Sequence, residues 1–203
     1  MKRLINAAII TSFVVVTTLF LTQCFEKVRA IDAEPSLTFI PDKQYPDWKD
    51  CDYKVGSRIC DVKLIDQYDQ YWQLYDHHGS IIVLDISAMW CVPCQAAASN
   101  MLAEQDAYQN DNVIFATILL QDLVGQPPTL EGIQMWANVF DLTTSPVLMG
   151  DISLVDPKGI KGFDVDVFPT ILIIDRDMHI VRHMDGFDQP LLRLWVEDLI
   201  LEN

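Results

Sequence analysis

Two rhythms of apolar residues alternate through most of this chain. Ile81 to Ser87 and Val113 to Leu120 are short apolar runs of strand length, as expected for strands in a buried sheet. Between them Gln95 to Gln109 is alanine-rich and polar with a helical pattern. A second helix is predicted over 130–142, with Thr129 as its N-cap, and a short strand over 146–149. Upstream, 62–65 and 71–74 flank the polar turn 66–70, which predicts a β-hairpin. Downstream, 170–175 and 179–184 are separated by Arg176, Asp177 and Met178, a second hairpin signal. Asp188 then caps a last helix with Pro190 in its first turn, and Leu191, Leu194, Trp195 and Leu199 are spaced for one buried face. This order predicts a central sheet with helices on both faces.

The N-terminal segment has neither rhythm. Lys2 and Arg3 precede an uncharged, apolar stretch from Leu4 to Leu21, the pattern of a signal peptide or a membrane anchor. Leu21-Thr22-Gln23-Cys24 resembles the lipobox of bacterial lipoproteins, which implies acylation at Cys24; Gln23 departs from the small residue usual there. Cleavage nearby and an uncleaved anchor are the alternatives, and all three place the rest of the chain outside the cytoplasm, in a bacterial periplasm. Residues 24–50, with Pro35, Pro41 and Pro46, read as a tether. The expected organisation is a leader or anchor over 1–23, a tether over 24–50 and one domain over 51–203.

Charge narrows the choice of partners. The chain carries 14 Lys and Arg against 29 Asp and Glu, a net charge of −15. Nucleic acid is therefore not an expected partner, since phosphate binding needs clustered basic residues. A basic protein partner is compatible with this balance, as is a plain acidic surface.

The chemistry concentrates at Trp90-Cys91-Val92-Pro93-Cys94. A strand feeding a helix places Cys91 at the helix N-terminus, where free N–H groups and the macrodipole favour a thiolate. Such a position lowers a cysteine pKa from about 8.5 to about 7 or below. Zinc sites also use CxxC, but His77, His78, His179 and His183 are not at ligand spacing to it, and neither metal nor cofactor is expected. A purely structural Cys91–Cys94 bridge is a further alternative. Asp85 is a carboxylate in the middle of an apolar strand, a costly site for charge that should raise its pKa.

Residues 85–94 (Asp-Ile-Ser-Ala-Met-Trp-Cys-Val-Pro-Cys) resemble the strand-to-active-site segment of thioredoxins, and Phe168-Pro169-Thr170 resembles their cis-proline loop. The N-terminal hairpin and the helix-plus-strand insertion over about 121–165 are similar to the extracytoplasmic TlpA/ResA branch. The resemblance implies a thioredoxin-like α/β fold with a mixed central sheet flanked by helices. It implies that Cys91, the exposed thiol, attacks a substrate disulfide and that Cys94 resolves the mixed disulfide. Asp85 would accept the proton of the resolving thiol. Trp90, Pro93, Phe168, Pro169 and Thr170 would shape the substrate-binding surface. Ala97 and Ser99 stand where many relatives carry Glu and Pro, so an unkinked helix is expected.

Cys51 and Cys60 form a second possible pair. A structural disulfide is the leading expectation in an oxidising compartment, and a redox relay is the alternative. The expected activity is reduction of protein disulfides with electrons from an upstream thiol–disulfide donor. Reduction is preferred over oxidation because strongly oxidising relatives usually have a histidine between the cysteines, where this chain has Val92-Pro93. A peroxiredoxin-like peroxidase and a non-catalytic binding module are the alternatives.

Overall fold

The structure, a computed structural model, describes residue 48 and residues 50–202. The expected leader, Cys24 and nearly all of the expected tether lie outside these residues. Among the described residues no helix is long and apolar enough to cross a membrane.

Seven strands form one mixed sheet. They are β1 (Lys63–Asp66), β2 (Tyr71–Gln73), β3 (Ile81–Ala88), β4 (Val113–Gln121), β5 (Val147–Met149), β6 (Thr170–Ile174) and β7 (Ile180–Asp185), in the order β2-β1-β5-β4-β3-β6-β7. β3, β4 and β5 are parallel neighbours, while β6 and β7 on one side and β1 and β2 on the other run antiparallel. Every residue of β3 is buried. A central strand covered on both faces reads as an unbroken apolar run, which is why 81–87 lacked alternation. The expected insertion contributes β5, and through it the hairpin β1–β2 joins the sheet.

The three α-helices are α1 (Val92–Ala107), α2 (Leu130–Val139) and α3 (Gln189–Leu201). α1 starts three residues earlier than the alanine-rich pattern suggested, because Pro93 is well placed in a first turn, where its missing N–H is no loss. It runs unbroken through Ala97 and Ser99. In α2 the Thr129 hydroxyl accepts from Gly132 N at 3.1 Å, and in α3 the Asp188 carboxylate accepts from Leu191 N at 3.0 Å, both as predicted. The buried stripe of α3 differs from the prediction. It consists of Leu192, Val196 and Leu199, flanked by half-buried Leu191 and Trp195, while Leu194 is exposed.

Helices on both faces is also corrected. Ile81, Val83, Phe115, Leu119, Ile171 and Ile173 share one core with buried residues of all three helices. The alternate residues Ile82, Leu84, Ile86, Ile118, Leu172 and Ile174 pack instead against Ile59, Trp72, Leu74, Tyr75 and Phe163, which lie outside the α-helices. The chain steps from β3 to β4 to β5 in one direction across the sheet. Two right-handed crossovers in one direction put α1 and α2 on the same face.

Candidate redox site

The site lies where the parallel strands end and α1 begins. Cys91 is the N-cap of α1, and its Sγ accepts from Cys94 N at 3.2 Å. No acidic residue sits in the first turn, so nothing local neutralises the positive end of the helix. Cys91 and Cys94 are joined in a disulfide with Cα atoms 5.2 Å apart. Cys94 is 0% exposed and faces the sheet with Ala97, Ala98 and Met101. Cys91, expected to be the exposed thiol, is only 4% exposed.

The loop before β6 lies against Cys91, and Trp90 packs on that loop. The Phe168–Pro169 peptide bond is cis, and the Phe168 carbonyl oxygen lies 3.4 Å from Cys91 Sγ. Gly186 N donates to Pro169 O at 2.7 Å, and the Thr170 hydroxyl donates to Val167 O at 2.8 Å, so both sides of the loop are tied down. Trp90 meets the Phe168 ring edge-on at 5.9 Å and remains 47% exposed. Its Nε1 donates to Gln121 Oε1 at 3.0 Å, and Gln121 Nε2 donates to Gly125 O at 3.2 Å. Gln121 thus links the tryptophan to the turn after β4, a role that its position at a strand end did not reveal.

Asp85 is fully buried in β3, paired with Thr117 on β4 and Ile171 on β6. It falls in step with Ile81 and Val83, four and two residues earlier on the same strand face, whose side chains belong to the helix-covered core that also contains Cys94. The carboxylate therefore lies on the α1 side of the sheet, within the same layer as Cys94. Burial pushes its pKa up to about 7, and hydrogen bonds from Ser87 and Thr117 partly counter that rise. Ser87 Oγ donates to Oδ1 at 2.6 Å and Thr117 Oγ1 donates to Oδ2 at 3.2 Å. These two hydroxyls are not among the site residues expected from the sequence. The available signal was period two: Ser87 shares the Asp85 face, and Thr117 interrupts an apolar strand.

The remaining candidates lie elsewhere. Cys51 and Cys60 are disulfide-bonded with Cα atoms 4.9 Å apart. Their segment pairs with the start of β7 through Gly56 N to Ile180 O at 2.7 Å and Ile59 N to Met178 O at 2.8 Å. This is the opposite end of β6 and β7 from Pro169. The histidines are engaged away from the dithiol: His77 stacks on Trp72, His179 lies near Asp175, and His183 Nε2 is 3.0 Å from Asp185. Among the described residues no group of three His, Cys, Asp or Glu could hold a metal ion.

No protein-family model matches the sequence, and no curated protein matches it. Solved structures do match, and they show a thioredoxin-like fold. One is the thioredoxin domain of a thiol-disulfide oxidoreductase from Bacteroides vulgatus, with TM-score 0.59 and 15% identity, covering 72% of this chain and 98% of that one. A thiol:disulfide interchange protein of the thioredoxin family from Chlorobium tepidum matches with TM-score 0.56 and 15% identity, covering 76% of this chain and 99% of that one. The exposed lipoprotein thioredoxin of Streptococcus pneumoniae matches with TM-score 0.51 and 22% identity, covering 71% of this chain and 100% of that one. The fold and the Cys91–Cys94 disulfide together support thiol–disulfide redox chemistry.

Proposed function

We propose that this protein is a membrane-tethered, extracytoplasmic thiol–disulfide oxidoreductase that reduces protein disulfides through Cys91 and Cys94. The observation that carries this reading is a disulfide at a helix N-cap, faced by the Phe168–Pro169 loop, with a buried carboxylate on the same face of the sheet.

In the reduced protein the Cys91 thiolate attacks one sulfur of a substrate disulfide. A Cys91–substrate disulfide forms, and the other substrate sulfur leaves as a thiolate. Cys94 loses its proton to Asp85 and attacks Cys91 Sγ, closing the Cys91–Cys94 disulfide and expelling the second substrate thiolate. Two electrons pass from the dithiol to the substrate, and an upstream dithiol donor must return them. Asp85 suits the proton step because its pKa of about 7 lets it both accept and release a proton near neutrality. Pro93 shapes the first turn. Trp90, Phe168, Pro169 and Thr170 bound the surface on which an extended substrate segment would lie. Cys51–Cys60 is a structural bridge in this reading. Cys24 carries the lipid, residues 24–50 span from the membrane, and residues 51–203 form the redox domain. The extracytoplasmic location draws on the leader pattern and on the exposed lipoprotein thioredoxin among the structural matches.

The deciding experiment is trapping. Cys94→Ser should hold a mixed disulfide on Cys91, identifiable by mass spectrometry, and Cys91→Ser should trap nothing. Insulin reduction driven by an external dithiol should be lost in Cys91→Ser. Equal activity in that variant would point to a binding module, and direct peroxide consumption by the reduced protein would point to a peroxidase.

A further inference from the structure

Beside the dithiol lies a groove that the exchange chemistry does not use. It opens between the first turn of α1, the turn after β4 and α2, with a volume of about 270 Å³. Met89, Leu123, Met135, Trp136, Val139 and Phe140 line it, and Gln95 is the single polar lining residue. The groove adjoins the redox site through the chain itself, since Met89 stands two residues before Cys91 and Gln95 directly follows Cys94. Gln95 Nε2 donates to Met89 O at 2.9 Å and so ties these two walls together. The rim is open: Leu123 is 58% exposed, Met135 46% and Val139 68%. A cofactor or small-ligand site usually has about 300–1,000 Å³ and several placed polar groups. This groove has neither, and it suits one or two apolar side chains of a polypeptide. Methionine on such a surface adapts to differing partners.

Charge specifies the rest of the occupant. After Lys63 the sequence contains no Lys or Arg until Lys158, a span that includes α1, α2 and strands β3 to β5. The segments at the redox end of the sheet are acidic throughout. Asp122 follows β4, Glu131 lies in the first turn of α2, Asp164 and Asp166 precede Pro169, Asp185 ends β7, and Asp188 caps α3. Residues 162–169 and 185–189 contain no Lys or Arg either. The acidic balance of the chain is therefore not offset locally around Cys91. A field of one sign steers oppositely charged partners to the site and penalises like-charged ones.

We propose that the protein selects cysteine-containing polypeptides whose flanks are basic, seating an apolar side chain beside the target cysteine in the groove between Leu123 and Val139. This deepens the proposed function and rests on it.

The test uses reduced full-length protein and two synthetic peptides, each with one intramolecular disulfide and a Leu next to the attacked cysteine. The peptides differ only in carrying Lys or Glu on both flanks. Rates are divided by those of each peptide with free dithiothreitol, which removes the intrinsic effect of the flanking charges on the disulfide. The Lys peptide should react about ten-fold faster or more at low salt, and the ratio should shrink in about 0.5 M NaCl. Asp122→Asn combined with Glu131→Gln should reduce the ratio. Leu123→Ser and Val139→Ser alter exposed side chains and should slow both peptides several-fold. The uncharged disulfide dithiodipyridine needs neither feature and should react at the wild-type rate with all of these variants. Equal normalised rates for the two peptides, a ratio indifferent to salt, or unchanged peptide rates in both serine variants would overturn the proposal. Failure of wild-type protein to react with dithiodipyridine would instead overturn the redox reading beneath it.

Discussion

Asp85 is 0% exposed and accepts hydrogen bonds from two hydroxyls, and its burial makes the charged form the unfavourable one. With its pKa raised from 3.8 to about 7, the folded protein keeps a proton that an unfolded aspartate would release. Folding stability from this residue is therefore fully present below about pH 4 and falls as pH rises through 7. Three pKa units correspond to roughly 4 kcal/mol. Asp151, held low by hydrogen bonds from the Ser153 hydroxyl and then its backbone N–H, and Asp156, held low by the backbone N–H groups of Lys161 and Lys158, act with the opposite sign. The informative quantity is thus the difference between wild type and Asp85→Asn. In urea unfolding of the oxidised proteins, the variant should gain on wild type by several kcal/mol between pH 4 and pH 8. The Ser87 and Thr117 hydroxyls can turn to accept from the Asn amide, so the variant should fold. If Asp85 is also the proton acceptor, Asp85→Asn should slow resolution of the mixed disulfide. Stopped-flow tryptophan fluorescence reads that step through Trp90, and an unchanged rate across neutral pH would remove the role.

At the scale of elements, the decisive contact is the seat of α1 on the sheet. Ala97 and Ala98 are fully buried, and their small side chains let the helix approach closely behind Cys94. Further along, Glu104 is fully buried and joins α1 to α3. Arg193 grips it with two parallel bonds, Nε to Oε2 at 2.9 Å and Nη2 to Oε1 at 2.8 Å, and Gln189 donates a third. Arg193→Ala would strand a buried carboxylate, so its urea midpoint should fall well below that of Arg182→Ala on the sheet edge. Replacing both partners, as Glu104→Met with Arg193→Leu, should recover much of the loss, because an apolar pair has no charge left to desolvate. Failure of the double variant to recover would mean that the ion pair itself, rather than the stranded charge, holds the two helices together.

For the whole molecule, the two disulfides lie at opposite ends of β6 and β7 and should have separable effects. Cys51–Cys60 closes a loop with a sequence separation of 9. In the chain-entropy account such a loop contributes about 2.7 kcal/mol. The double variant Cys51→Ser, Cys60→Ser should lose about that much stability in urea while insulin reduction persists. Loss of activity in the folded double variant would favour the relay reading. The membrane tether is checked separately: labelled fatty acid should enter the wild-type protein in a bacterial host and fail to enter Cys24→Ser.

The strands, the two hairpins, the helix caps Thr129 and Asp188, the CxxC at a strand-to-helix turn and the odd carboxylate at 85 were all legible in the linear chain. Each rests on local chemistry: side-chain period, turn residues, or one charge in an apolar run. Other features depended on which elements become neighbours. Leu192 and Val196, rather than Leu194, became the buried stripe of α3 because the docking angle of that last helix is set by the sheet beneath it. The two crossovers put α1 and α2 on one face, which made a groove beside Cys91 possible. The hydroxyl of Thr117 reaches Asp85 only because β4 pairs with β3 in one register, and Phe168 lies against Cys91 across a separation of 77 residues. By itself, then, the sequence determined which groups are candidates to react. Tertiary structure decided what surrounds them, since burial and long-range pairing arise only when distant segments meet.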